Sequence, residues 1–498
     1  MKNSLKRLID LAVAAALILV VSACDEDNPV PAPSVSNPAA TQVTAGTSTE
    51  ISFDVTIPGG WTSSAVVGTG GTPTITTDLT NGDTDGTIVV SFAAGSTSGA
   101  HSVTLTVTDA IGNSDEGVAV IEVTDVPQAP VVTVRGNIEG TVTWSADNIY
   151  VLDTRVTVVD GATLNIDPGT VIKGNTGQQA AATALLVARG GTLNAAGTAQ
   201  LPIIFTTIED PISPSDIAAG NYSSTTSPTQ AGRWGGVIIL GAAPISAQND
   251  NGDDITEVQI EGIPSSDPNG LYGGSDPNDN SGTISYISIR HGGTNIGAGN
   301  EINGLTLGGV GAGTTISNVE IVANADDGIE FFGGNVSIDG ALVWNSFDDS
   351  MDTDQDWVGS VTNYIIVTPN TGSAFELDGP EGSTSRGVHN TFSNGIVYGG
   401  ADIDHIIDWD DNTNTSITDT YFFGIVAGNV ESFGGDGNGD SNNWETDLAD
   451  NSAGYFDGVD SGVITYGVAV GSRSHGPAIA DFAWTWAGHS GALAGLGL

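Results

Sequence analysis

The chain has 498 residues, with 11 lysines and arginines against 59 aspartates and glutamates, a formal net charge of −48, and a single cysteine. A surface of that sign repels nucleic acid and anionic lipid, and one cysteine excludes a disulfide scaffold. The composition suits a salty exterior, where counterions screen self-repulsion, and hard cations such as calcium, which take carboxylate oxygens.

Lys2, Lys6 and Arg7 precede a wholly apolar run from Leu11 to Val21, and Val21-Ser22-Ala23-Cys24 closes it. This is the three-part plan of a secretory signal. The run is too short for a spanning helix, which needs about 20 residues. Small residues before Cys24 resemble the bacterial lipobox, which implies cleavage after residue 23, diacylation of the Cys24 thiol and anchoring by lipid. Removing Lys2, Lys6, Arg7 and Asp10 with the signal takes the net charge to −50 and leaves Lys173 as the last lysine. Asp25, Glu26 and Asp27 resemble the surface-export signal of Bacteroidota lipoproteins, which implies a place on the outer membrane, facing out; in other bacteria an Asp in the first position implies retention at the inner membrane. Pro29, Pro31 and Pro33 then make residues 24–36 an extended tether.

From 37 to 126 the chain alternates in short runs, among them Glu50-Ile51-Ser52-Phe53-Asp54-Val55 and His101-Ser102-Val103-Thr104-Leu105-Thr106-Val107. Period-2 runs separated by Gly, Asp and Asn predict an N-terminal β-sandwich. Val103 to Asn113 resembles the last hairpin of bacterial Ig-like or PKD-like modules. A Pro-bearing linker is expected over 127–134.

Beyond it the chain repeats. Asp326-Asp327-Gly328-Ile329-Glu330-Phe331-Phe332 aligns with Asp348-Asp349-Ser350-Met351-Asp352-Thr353-Asp354, and then with Gly372-Ser373-Ala374-Phe375-Glu376-Leu377-Asp378, at steps of 22 and 24 residues. Short strand-like runs with Gly/Asn turns at that period predict the coils of a parallel β-helix over 135–498, so the fold class is all-β throughout. DGATLNIDPGTVIKG (160–174), RWGGVIILG (233–241), ISIRHGG (287–293) and DDGIEFFGG (326–334) resemble the surface β-helix lipoproteins of Bacteroidota, in the pectin-lyase-like superfamily. The resemblance implies a right-handed solenoid and an extracellular polysaccharide as partner or substrate.

Stacked coils bring equivalent residues about 4.8 Å apart. Glu330, Asp352 and Glu376 then form one carboxylate ladder and Asp354 and Asp378 part of a second, with Asp352, Asp354 and Asp356 facing one side of a strand. Calcium on this face is the expectation, against a plain solvated acidic surface. A second calcium candidate is the loop holding Asp436, Asn438 and Asp440, with Asp447 twelfth in order; Ser441 stands where an EF-hand turn wants glycine. Basic groups are few, so Arg290 and Arg386 are the candidates for the base that the resemblance implies in a calcium-dependent lyase; their other reading is pairing with a nearby carboxylate. Asp326 or Asp327 with Asp348 or Asp349 are candidate acids of an inverting hydrolase. The polygalacturonase pattern of Asp pair, Gly-His-Gly and Arg-x-Lys is not met. Trp344, Trp357 and Trp409 stand close to acidic clusters and are candidate glycan platforms, while Trp484 and Trp486 are expected to plug the solenoid end. These features give a glycan-binding, calcium-binding lipoprotein, with a polysaccharide lyase or hydrolase and a structural coat protein as the alternatives.

Overall fold

Alternating and continuous apolar runs in the sequence separate into two compact units, Met1–Pro127 and Gln128–Leu498. The computed structural model describes residues 30–125, 128–296, 302–368, 372–388, 390–400, 403, 406–410, 412–413, 415–424, 473 and 475–498. Cys24 with its signal segment, the loop of Asp436, Asn438 and Asp440, and His389, Asp404, Asp411, Trp444 and Asp447 lie outside the described residues, as does the side chain of Trp409.

The first unit holds two four-stranded sheets. In Ser48–Thr56 burial alternates residue by residue, so Ile51, Phe53 and Val55 point inward while Glu50, Ser52 and Asp54 meet solvent. Val103, Leu105 and Val107 of Gly99–Asp109 do the same from the other sheet, and the two inner faces share one core. This is the period-2 signature of a β-sandwich.

The second unit is a parallel β-helix, a continuous series of 20 strands among the described residues. Its first coil starts at Val131, because Val131–Ile138 already pairs in parallel with Ile149–Val158; the linker expected up to 134 is therefore shorter. Short strands build the first face: Ala184–Val187, Val237–Leu240, Leu305–Gly308, Ile329–Phe332, Met351–Asp354, Phe375–Leu377 and Ile407–Trp409. The second and third faces come from single strands bent in the middle, such as Gly282–Arg290, Thr315–Val322 and Ser360–Thr368. The bends fall at Tyr286, Asn318 and Asn363, all at positive φ. Inside, like stacks on like: Leu305, Ile329, Met351 and Phe375 form one register column, and all are fully buried.

The C-terminal residues do not plug the solenoid end. They lie along the third face, where Phe482, Trp486, Ala487 and Leu493 pack on outward-pointing Val322, Leu342, Ile365, Val367 and Ile396. A flank of consecutive apolar residues is buried on both sides and demands such a cover. The segment is pinned by Glu320, which accepts hydrogen bonds from the backbone N–H groups of Trp486 at 2.8 Å and Ala487 at 3.0 Å, and from Ser288 Oγ at 2.5 Å. Glu320 also faces Arg290 at 3.7 Å, both side chains being wholly buried.

Removing one partner of a buried ion pair strands the other charge, at a cost of about 3–5 kcal/mol. Glu320→Ala is therefore expected to lower the unfolding temperature of the β-helix and to open the C-terminal segment to chymotrypsin at Trp484 and Trp486. A variant as protease-resistant as the parent would show that Glu320 does not hold the segment.

Candidate functional site

The outward row of the first face changes character along the helix. Leu186 pairs with Ile238, Ile238 with Thr306, Thr306 with Glu330, Glu330 with Asp352, Asp352 with Glu376, and Glu376 with Asp408. The apolar part of the row is roofed by an excursion of the chain that brings Ile245, Ile260, Ile263 and Tyr272 onto Ile238 and Leu240. Where the roof ends, the row turns acidic. Glu330 and Asp352 are only 7% exposed, so this is no solvated surface ladder.

Neighbouring carboxylates close in on the row. Carboxylate oxygens of Asp327, Glu330 and Asp352 lie within 4.8 Å of one another, and those of Asp326, Asp327 and Asp348 form a second such group. Asp327 is held in place by the backbone N–H of Asp349, which donates to it at 2.9 Å, and Asp349 in turn accepts from the N–H of Ser373 at 2.9 Å. The Asn303 side-chain amide donates to Glu330. Burial, reinforced by neighbouring negative charges, pushes Asp327, Glu330, Asp352 and Asp354 well above the usual carboxylate range. Glu376 rises to about 9, first through burial and then through its contact with Asp349, and Asp378 rises to about 6.

Such a cluster ionises fully only if a cation shares it. The donor set is all hard oxygen, as calcium requires, and Asp352 Oδ1 is buried with no hydrogen-bond partner. Asp327, Glu330 and Asp352 would be the ligands, with Glu376 next along the row. Without a cation, the same groups hold protons.

Residues 136–403 match the family model described as a pectate-lyase like beta helix domain. The chain belongs to that family. No curated protein matches it. Among solved structures, a family 28 exopolygalacturonase from Yersinia enterocolitica is similar at 9% identity over 79% of this chain and 80% of its own, with a TM-score of 0.20. That likeness is too slight to bear on chemistry.

Within this pectate-lyase-like coil the remaining candidate residues separate clearly. Asp354 faces outward beside Asp352, but Asp356 does not join them. The strand ends at Asp354, and Gln355 and Asp356 both take positive φ, which swings Asp356 round to accept from Arg386 N at 2.6 Å and Nε at 3.1 Å. Arg386 thus sits at the margin of the acidic face, 23% exposed. Arg290 has no exposed surface; Nε donates to Ser288 at 2.7 Å and Nη2 to the Tyr222 carbonyl at 2.7 Å. It cannot reach a polymer, and the pairing reading holds for it.

Trp357 is likewise no platform. It is 1% exposed, stacked on Phe331 at 4.1 Å inside the coil, with Nε1 donating to the Val336 carbonyl at 3.0 Å. Trp344 packs edge-on against Trp486 at 5.7 Å, under the C-terminal segment. Of the candidate acids of an inverting hydrolase, Asp326, Asp327 and Asp348 each bring one carboxylate oxygen within 4.8 Å of the others, while Asp349 bonds to Asp327 through its backbone N–H. Three participants carried no sequence signal: Asn303, which precedes its strand, and Glu261 and Glu381, which arrive on excursions outside the repeat and whose charges act on Glu330 and Asp354.

The raised carboxyls fix the sign of a pH dependence. Between the ordinary 4.5 of an unfolded glutamate and about 9 in the fold, Glu376 keeps in the native chain a proton that the unfolded chain has lost. Stability therefore falls as pH rises through that window. In chelator, the unfolding temperature of the β-helix is expected to drop steadily from pH 5 to pH 9, and Glu376→Gln to flatten part of that slope. A temperature that climbs with pH would contradict a buried acidic cluster.

Proposed function

We propose that this protein is a cell-surface lipoprotein whose β-helix binds calcium on the acidic first face and, through it, an extracellular polysaccharide. The observation that carries this reading is the buried trio of Asp327, Glu330 and Asp352, with carboxylate oxygens within 4.8 Å and one of them unpartnered. Like charges held that close inside a protein call for a divalent ion or for protons. At neutral pH and millimolar calcium, the ion competes well. A calcium ion on an outward face, with part of its coordination open, supplies a positive point on an otherwise negative surface, and polymer carboxylates or hydroxyls can complete its shell. The family's pectate-lyase-like coil supports a polysaccharide as the partner. Cys24 and the Pro-rich residues after it would tether the folded part to the outer membrane, where such polymers are met.

A calcium-dependent lyase is the second reading, favoured by one observation: Arg386 lies beside Asp356 at the edge of the acidic face, with Nη2 buried and unpartnered. There it would remove the proton next to a uronate carboxylate that calcium had acidified.

Calorimetric titration of the purified chain with calcium tests the first reading, followed by polygalacturonate and alginate with calcium or with chelator. Asp352→Asn is expected to weaken calcium about 10–100-fold and to abolish polymer binding with it. Polymer binding that persists in chelator would overturn the reading. Absorbance of unsaturated product, recorded on the same mixtures, is expected to stay flat. A calcium-dependent rise that disappears in Arg386→Ala would establish the lyase instead.

A further inference from the structure

The bends between the second and third faces line up along the solenoid at Tyr286, Asn318, Gly340, Asn363 and Asn394, each at positive φ. Asparagine and glycine tolerate the left-handed region, whereas a bulky aromatic rarely occupies it. The asparagines hold one another in a directed chain. Gly476 N donates to Asn394 Oδ1 at 3.1 Å, Asn394 Nδ2 to Asn363 Oδ1 at 2.6 Å, and Asn363 Nδ2 to Asp339 Oδ1 at 2.6 Å. Gly340 interrupts the row. A Cβ there would come within 3.0 Å of Asn318 Oδ1 and 3.3 Å of Asn318 N, so the glycine is what lets the Asn318 amide lie over this bend.

The C-terminal segment crosses beside this corner and encloses with it a cleft of about 740 Å³, within the ~300–1,000 Å³ typical of ligand pockets. Trp484 lines the cleft and is 2% exposed, and its indole N–H has no hydrogen-bond partner. A buried donor left unpaired costs about 1–3 kcal/mol, which a ligand acceptor would recover. The Tyr286 ring meets Trp484 edge-on at 5.4 Å, and Tyr286 is itself partly exposed.

We infer that this cleft is a binding site for a neutral saccharide. Side-chain amides offer donor and acceptor together, which is what a sugar hydroxyl needs. The indole N–H, buried and unpaired in the cleft wall, adds a donor to a ligand that reaches it, and the open part of the Tyr286 ring offers a face for the C–H side of a pyranose. Asp339 and Asp481 also line the cleft, and neither lysine nor arginine does among the described residues. A uronate or sulfated sugar would be repelled, while a neutral one gains two hydroxyl acceptors. The site owes nothing to the acidic first face and requires no cation.

Calorimetric titration of the purified chain in chelator with xylohexaose, cellohexaose and mannohexaose tests the assignment, because chelator silences the calcium-dependent site. At least one of the three is expected to bind at one site per chain. Asn318→Gly keeps the left-handed bend and removes only the amide; Gly340→Asn fits that bend and displaces the Asn318 amide from above it. Each is expected to weaken the sugar about tenfold or more with the unfolding temperature unchanged, and Trp484→Phe to do so by loss of its N–H. No binding by any of the three sugars overturns the proposal, as does binding that survives both Asn318→Gly and Gly340→Asn. Competition for the cleft by an oligogalacturonate would overturn its neutral specificity.

Discussion

Parallel register without offset is the constraint on which this structure depends. Each coil lays its residues over the equivalent residues of the coil before, so any side chain repeated in the sequence becomes a column in space. Inside, that rule gives columns of Leu, Ile, Met and Phe and a core that continues for as long as the repeat does. Outside, it forbids repeating a charge cheaply. Two carboxylates about 4.8 Å apart repel by roughly 3–4 kcal/mol at an effective dielectric of 20, and a third in line adds as much again. The column from Glu330 to Asp408 breaks the rule over four successive coils. Neutralisation, by protons or by a cation, is then a condition of the fold at that face.

The same column shows why the break is local. Its first members are Leu186 and Ile238, which are covered, and Thr306 marks the transition. An apolar outward row forces a roof, and the excursion that forms the roof ends beside the first acid, bringing Glu261 with it. The third face follows the same logic with a different cover, because its outward apolar residues are met by the C-terminal segment. What each flank carries outward thus decides which parts of the chain are drawn over it. The corner cleft is a by-product of the second cover, formed where a segment that seals apolar surface runs past a row of amides.

How much of this was legible in the sequence depended on whether a residue belonged to the repeat. Steps of 22 and 24 residues suffice to place Glu330, Asp352 and Glu376 in one register, and the structure pairs them so. Asp356 was misplaced by two residues of positive φ, which no periodicity announces. Trp357 looked like a surface ring because it neighbours acids in sequence, yet the turn after Asp354 carries it inward onto Phe331. Arg290 follows an alternating run, and its burial became visible only with Glu320 and the distant Trp486 and Ala487 in view. Contacts between the repeat and the segments outside it account for most of what the sequence left unread.

The scarcity of positive charge narrows the chemistry further. Arg135, Arg155, Arg189, Arg233, Arg290 and Arg386 each stand opposite a carboxylate, and the Lys173 ammonium donates to the Asp210 carbonyl at 2.5 Å. In a chain with so few bases, nearly all are consumed in holding excursions to the coil: Arg155 and Arg189 reach the roof at Asp267 and Glu257, and Arg290 shares Glu320 with the C-terminal segment. On the proposed reading, a polymer on the first face would draw its positive charge from a bound cation. On that reading the acidic face would depend on a cation by composition as well as by geometry, and Arg386, at the margin of that face, is a basic group whose position would permit contact with a bound polymer.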